Sequence, residues 1–145
     1  MWIIYSLAAA MFWGLDYALT GKVLEKIQFS TLITIELFFG FIAMLGLMLA
    51  SGAYTADLPA LLFSSKKTIL YIVLIIICFN IGNILIVLSI TKGNATLSGL
   101  IEISYPLFIA MFSWLLFNEV TVNLGTSIGG GLILIGVLSI YLFNR

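Results

Sequence analysis

Three carboxylates lie inside long apolar stretches of this chain: Asp16, Glu36 and Glu102. Two amides, Asn80 and Asn83, lie in a fourth place of the same kind, and Trp13 precedes Asp16 by three residues. Histidine is absent, which removes the usual proton carrier near neutral pH. Proton or cation chemistry must therefore run through the acids. Glu102 has a second feature. Pro106 has no N–H, so the carbonyl of Glu102 loses its helical partner, and a bare carbonyl and a carboxylate meet at one kink. These groups are suited to binding rather than to bond-making. No nucleophile–base pair or metal set accompanies them, which argues against an enzyme and predicts no cofactor.

A carboxylate near the centre of a membrane span costs roughly 2.5 to 3.5 kcal/mol on insertion scales, so acids there carry a structural or functional reason. The surroundings of these three are membrane-like. Hydrophobic residues make up 63% of the 145 residues and charged ones 8%, and the mean hydropathy is +1.26. Soluble domains carry roughly a quarter charged residues, so a water-soluble fold could not cover its surface from this supply. The net charge is zero and no basic tract exists, which argues against nucleic acid as a partner. The single cysteine, Cys78, lies in an apolar run and offers neither an intrachain disulfide nor a zinc cluster.

A helix needs about 20 mostly apolar residues to cross the hydrocarbon core. Five segments qualify, over about 2–20, 29–50, 68–90, 95–117 and 122–143. The fold class expected is therefore all-α integral membrane: a single domain over 1–145, a bundle of five transmembrane helices. The first segment lacks the positive n-region of a signal peptide, since no Lys or Arg precedes Lys22, and reads as a retained span. Between the second and third spans, Asp57-Leu58-Pro59 is a helix-start pattern that predicts a short interfacial helix. Tight turns are expected over 91–94 and 118–121. Asn94-Ala95-Thr96 fits a glycosylation sequon but abuts a span. Glu119 reads as solvated or capping, and Lys66 and Lys67 read as interfacial anchors.

Five spans put the two termini on opposite sides. Lys22, Lys26, Lys92 and Arg145 fall on the side opposite the N-terminus, against Lys66 and Lys67 on the N-terminal side. The positive-inside rule would place the N-terminus outside, but the excess is small and permits insertion both ways.

Small and polar residues fall on stripes at helical spacing. In the fourth span Ala95, Gly99, Glu102, Pro106, Ala110 and Ser113 share a face, while Leu100, Ile103, Leu107, Met111 and Leu115 lie away from it. Ser6, Ala9, Trp13, Asp16 and Thr20 repeat the pattern in the first span. Glu36, Gly40, Ala43 and Ala50 do so in the second, and Asn80 and Asn83 share a face in the third. Close helix packing accounts for much of the small-residue pattern, and for the glycine-rich fifth span. The acids ask for more. At about 1.5 Å per residue all three lie roughly 6 to 10 Å from the side opposite the N-terminus, with the two asparagines slightly deeper. A water-accessible cavity open to that side would require such a level. The alternatives stay open: Glu102 bonding a neighbouring Asn or Tyr, the asparagines bonding between helices, Trp13 anchoring the bundle, or the acids paired with lysines of a partner chain.

Two stretches resemble a known family. Residues 10–19, with Trp13-Gly14, resemble the opening helix of EamA-type domains in the drug/metabolite transporter superfamily. Pro106, then Phe117-Asn118-Glu119, Gly129 and Leu132-Ile133-Leu134-Ile135-Gly136-Val137, resemble its last two helices. The resemblance spans the whole chain. It implies a carrier of small organic solutes working by alternating access in an inner or plasma membrane, with spans one to four lining the path. The depth and stripes of the polar residues make Trp13, Asp16, Glu36, Asn80, Asn83, Glu102 and Pro106 the candidates along the solute or ion pathway. Typical members hold two such domains, inverted, in one chain. One domain implies a partner: an antiparallel homodimer, or a heterodimer with an oppositely oriented paralogue. Two departures stand out. Glu36 sits where members often carry Arg, and Asn118 replaces a common Gly. Competing expectations are a non-transporting membrane subunit or assembly factor, with dry polar contacts, and a lipid-linked sugar flippase, with a lateral opening to lipid.

Overall fold

The computed structural model describes residues 2–120 and 122–143. Thr121, part of the expected second turn, and Arg145, part of the charge balance, lie outside the described residues. The elements are all helices: α1 (Trp2–Val23), α2 (Phe29–Ser51), α3 (Tyr54–Leu62), α4 (Lys66–Lys92), α5 (Ala95–Glu102), α6 (Tyr105–Phe117) and α7 (Leu124–Phe143). Five stretches are long and apolar enough to cross a membrane: α1, α2, α4, α5 with α6 (Ala95–Phe117), and α7, of 22, 23, 27, 23 and 20 residues. At ~1.5 Å per residue these reach about 30 to 40 Å, enough for a hydrocarbon core of ~30 Å. The protein is an all-α, multi-pass membrane protein. Side chains such as Trp2 and Leu116 are exposed along the spans, where lipid is the solvent.

Several helices start or stop for a local reason. Gly52 ends α2 in the left-handed region at φ 69°, its N–H bonded to the Leu49 carbonyl at 3.3 Å. Asn118 ends α6 at φ 55°, its N–H reaching the Trp114 carbonyl at 3.0 Å. Asparagine tolerates this conformation better than other L-residues with a side chain, so it can stand where glycine is common. Asn94 starts α5 by accepting from the Leu97 N–H at 2.8 Å, which gives the sequon asparagine a structural role. Asn123 and Thr126 cap α7 reciprocally: Asn123 Oδ1 accepts from the Thr126 N–H at 3.0 Å, and Thr126 Oγ1 from the Asn123 N–H at 2.7 Å. The short helix expected at Asp57-Leu58-Pro59 begins earlier, at Tyr54, with Asp57 in its first turn and Pro59 inside.

The chain divides into two compact units. One contains α1 through Gly21 and everything from Lys92 onward, so α5, α6 and α7. The other, 22–91, contains α2, α3 and nearly all of α4. In the first unit α5 packs on α7. A Cβ added at Gly130 of α7 would fall 2.8 Å from Leu107 Cδ2, so α7 and α6 approach closely over that glycine. In the second unit the most buried apolar residues are Leu32 and Ile33 of α2 and Val87 and Ile90 of α4.

Candidate functional site

The first unit holds a groove of about 590 Å³, between one face of α1 and the junction of α5 with α6. Its geometry starts with helical spacing. Trp13 and Tyr17 are four residues apart on α1, one turn, and their rings meet edge to face with centroids 6.0 Å apart at 74°. Gly99 and Glu102 are three apart on α5, also one turn. The Tyr17 ring lies over Gly99: an added Cβ there would stand 3.3 Å from Tyr17 Cδ2 and 3.6 Å from Cε2. Crossing at that point, the Tyr17 hydroxyl reaches Glu102 and donates to its Oε2. Gly99 thus sets the closeness that lets Tyr17 reach the carboxylate one turn further on.

The helix breaks beside Glu102. The Ile103 N–H still bonds the Gly99 carbonyl at 3.1 Å. The Ser104 N–H then turns back to Ile101 at 3.1 Å and Leu107 to Ser104 at 3.0 Å, both one residue tighter than an α-helix. Pro106 falls in the first turn of α6, where a missing N–H is tolerated. Pro106 has no N–H and the Leu107 N–H bonds Ser104, so the Glu102 carbonyl lacks the donor that a continuous α-helix would give it four residues on. The carboxylate and a carbonyl without its α-helical donor therefore meet at one break, and Tyr105 lines the same groove.

The structure brings together only some of the expected site residues. Trp13 and Glu102 line the groove together. Pro106 sits at the break that shapes it. Asp16 is exposed on α1 outside the groove lining, and Tyr17, the next residue, takes the inward place. Positions three and four after Trp13 both remain near its face, and spacing alone does not choose between them. Glu36 is exposed on α2 in the second unit. Asn80 and Asn83 are half-buried on α4, also in the second unit, and Asn80 Nδ2 donates to the Ile76 carbonyl of its own helix at 2.8 Å. Ile103 also lines the groove; it stands four residues after Gly99, to whose carbonyl its N–H still bonds, and so shares that face. A stripe stepping from Gly99 to Glu102 to Pro106 passes over Ile103, although three- and four-residue steps from Gly99 reach the same face. Among the described residues no three His, Cys, Asp or Glu side chains come together to share a metal ion.

The family model of the EamA-like transporter family matches residues 1–142. The chain belongs to that family. This EamA-like protein, within the drug/metabolite transporter superfamily, is a membrane transporter of the drug/metabolite type. No curated protein and no solved structure matches it. The Glu102 groove is built from the two regions that carry the family pattern: the Trp13-Gly14 helix and the helix leading to Asn118-Glu119.

Proposed function

We propose that this EamA-like chain is a half-transporter that moves a small organic solute by alternating access, working as a dimer in an inner or plasma membrane. The observation that carries this reading is the groove itself. A carboxylate, a carbonyl that has lost its α-helical donor, and aromatic rings converge at a break in a membrane helix. Broken helices in transporters place polar backbone and side-chain groups at binding sites within the membrane. An acid retained in an apolar span needs a partner, and Tyr17 supplies one neutral hydrogen bond. Solute, cation or proton supplies the rest in turn as the site faces each side.

One domain presents one half of a pathway. The weak lysine and arginine bias supports insertion both ways, so two copies in opposite orientation complete the path, with a paralogue as the alternative partner. The Tyr17–Glu102 bond also suits a non-transporting subunit whose polar groups only fix packing. Uptake of a mixed panel of organic solutes into proteoliposomes separates the two. The wild-type protein is expected to concentrate at least one solute. Glu102→Gln is expected to lower that uptake about tenfold or more and to flatten its pH dependence. Equal rates with an unchanged pH profile would remove Glu102 from the mechanism.

A further inference from the structure

The groove brings together Trp13, Tyr17, Tyr105 and Glu102. Among the described residues no lysine or arginine lines it. The salt bridge found among them joins Lys22 to Glu25, both in the other unit. Glu102 accepts from Tyr17 through Oε2, and no donor reaches Oε1 among the described residues. A hydroxyl is a neutral donor, so it orients the carboxylate without offsetting its charge. The site therefore presents a carboxylate with one oxygen still open to a donor, and three electron-rich rings.

We infer that this groove selects organic cations: an ammonium-type centre seated at Glu102 among the rings of Trp13, Tyr17 and Tyr105, with its apolar body along the rest of the groove. Aromatic faces carry negative potential and attract cations, most strongly when water is excluded. Rings grouped around one point are the recurrent means of holding quaternary ammonium groups, which cannot donate hydrogen bonds. An anion would meet the repulsion of Glu102, and a neutral solute would leave the carboxylate without a counter-charge. The volume, about 590 Å³, lies within the range of about 300 to 1,000 Å³ typical of small-molecule sites. Ala9, Ala10 and Ile103 supply the apolar remainder.

This assignment rests on the transporter reading and deepens it. The probe is benzyltrimethylammonium, with benzoate as an anion of similar ring size. The full-length protein carries Trp2→Phe and Trp114→Phe, so that Trp13 is the one fluorescent tryptophan. Saturable quenching by the ammonium is expected, with none by benzoate. Glu102→Gln should weaken it roughly tenfold or more, and Glu102→Asp, which keeps the charge, should largely retain it. No quenching, equal quenching by benzoate, or the same affinity in Glu102→Gln would overturn the assignment. Uptake in proteoliposomes keeps the two claims apart. Transport of anions or zwitterions in preference to the ammonium overturns the cation assignment and leaves transport standing. Binding of the ammonium with no movement of any solute supports the cation site and removes the transporter.

Discussion

Tyr17 is the side chain that turns an acid in a membrane helix into a held, oriented group. Its ring rests over Gly99 and its hydroxyl donates to Glu102. Hydrogen bonds between membrane helices average about 0.6 kcal/mol and reach about 1.7 kcal/mol, because the unfolded chain in lipid also finds partners. Tyr17→Phe should therefore lower stability by no more than about 1 to 2 kcal/mol in denaturant titrations in detergent. Uptake should fall much further than that loss explains, and a double-mutant cycle with Glu102→Gln should show the two substitutions coupled. Additive effects would mean that the bond does not serve the site. Glu102, Trp13 and Pro106 are legible in the sequence because an acid, a large aromatic and a proline each stand out in an apolar run. Tyr17 is not. It sits beside the more conspicuous Asp16, and only the approach of α5 over Gly99 decides which of the two faces Glu102.

The element that matters most is the span divided into α5 and α6. Its length and composition mark it as one crossing, and Pro106 marks a kink, so both are readable from residue types. The consequence for the faces is not readable. Two tightened turns, Ser104 to Ile101 and Leu107 to Ser104, shift the register of the rest of the span, where Leu107 lies against Gly130. Among the clustered glycines of α7, only the close approach of Leu107 distinguishes Gly130; an added Cβ at Gly129, Gly131 or Gly136 would meet open space. Pro106→Ala restores an N–H four residues after Glu102 and permits a continuous helix. Because Pro106 occupies a first-turn position, the stability change should stay within about 1 kcal/mol. Amide hydrogen exchange over 103–107 should slow, and uptake should fall. Retained uptake with a straightened helix would show that the break is dispensable.

At the scale of the molecule, five candidate spans, an odd number, predict that the start of α1 and the end of α7 face opposite sides of the bilayer. The few lysines and arginines leave orientation weakly biased, and this much is written in composition alone. Fusing a reporter to either end should show both orientations in comparable amounts. One uniform orientation would point instead to a paralogous partner inserted the other way. Small residues at helical spacing pack equally well within one chain and between two, so composition does not mark a surface for the proposed partner. Whether the Glu102 groove meets water decides the rest. In a Cys78→Ser background, single cysteines at Ala10 and Ile103, which line the groove, and at Phe12 and Phe108, which do not, should be treated in membranes with a charged, membrane-impermeant thiol reagent. Rapid modification at positions 10 and 103 with none at 12 and 108 is the predicted result. Silence at all four positions, or equal reaction at all four, would contradict a solute pathway at Glu102.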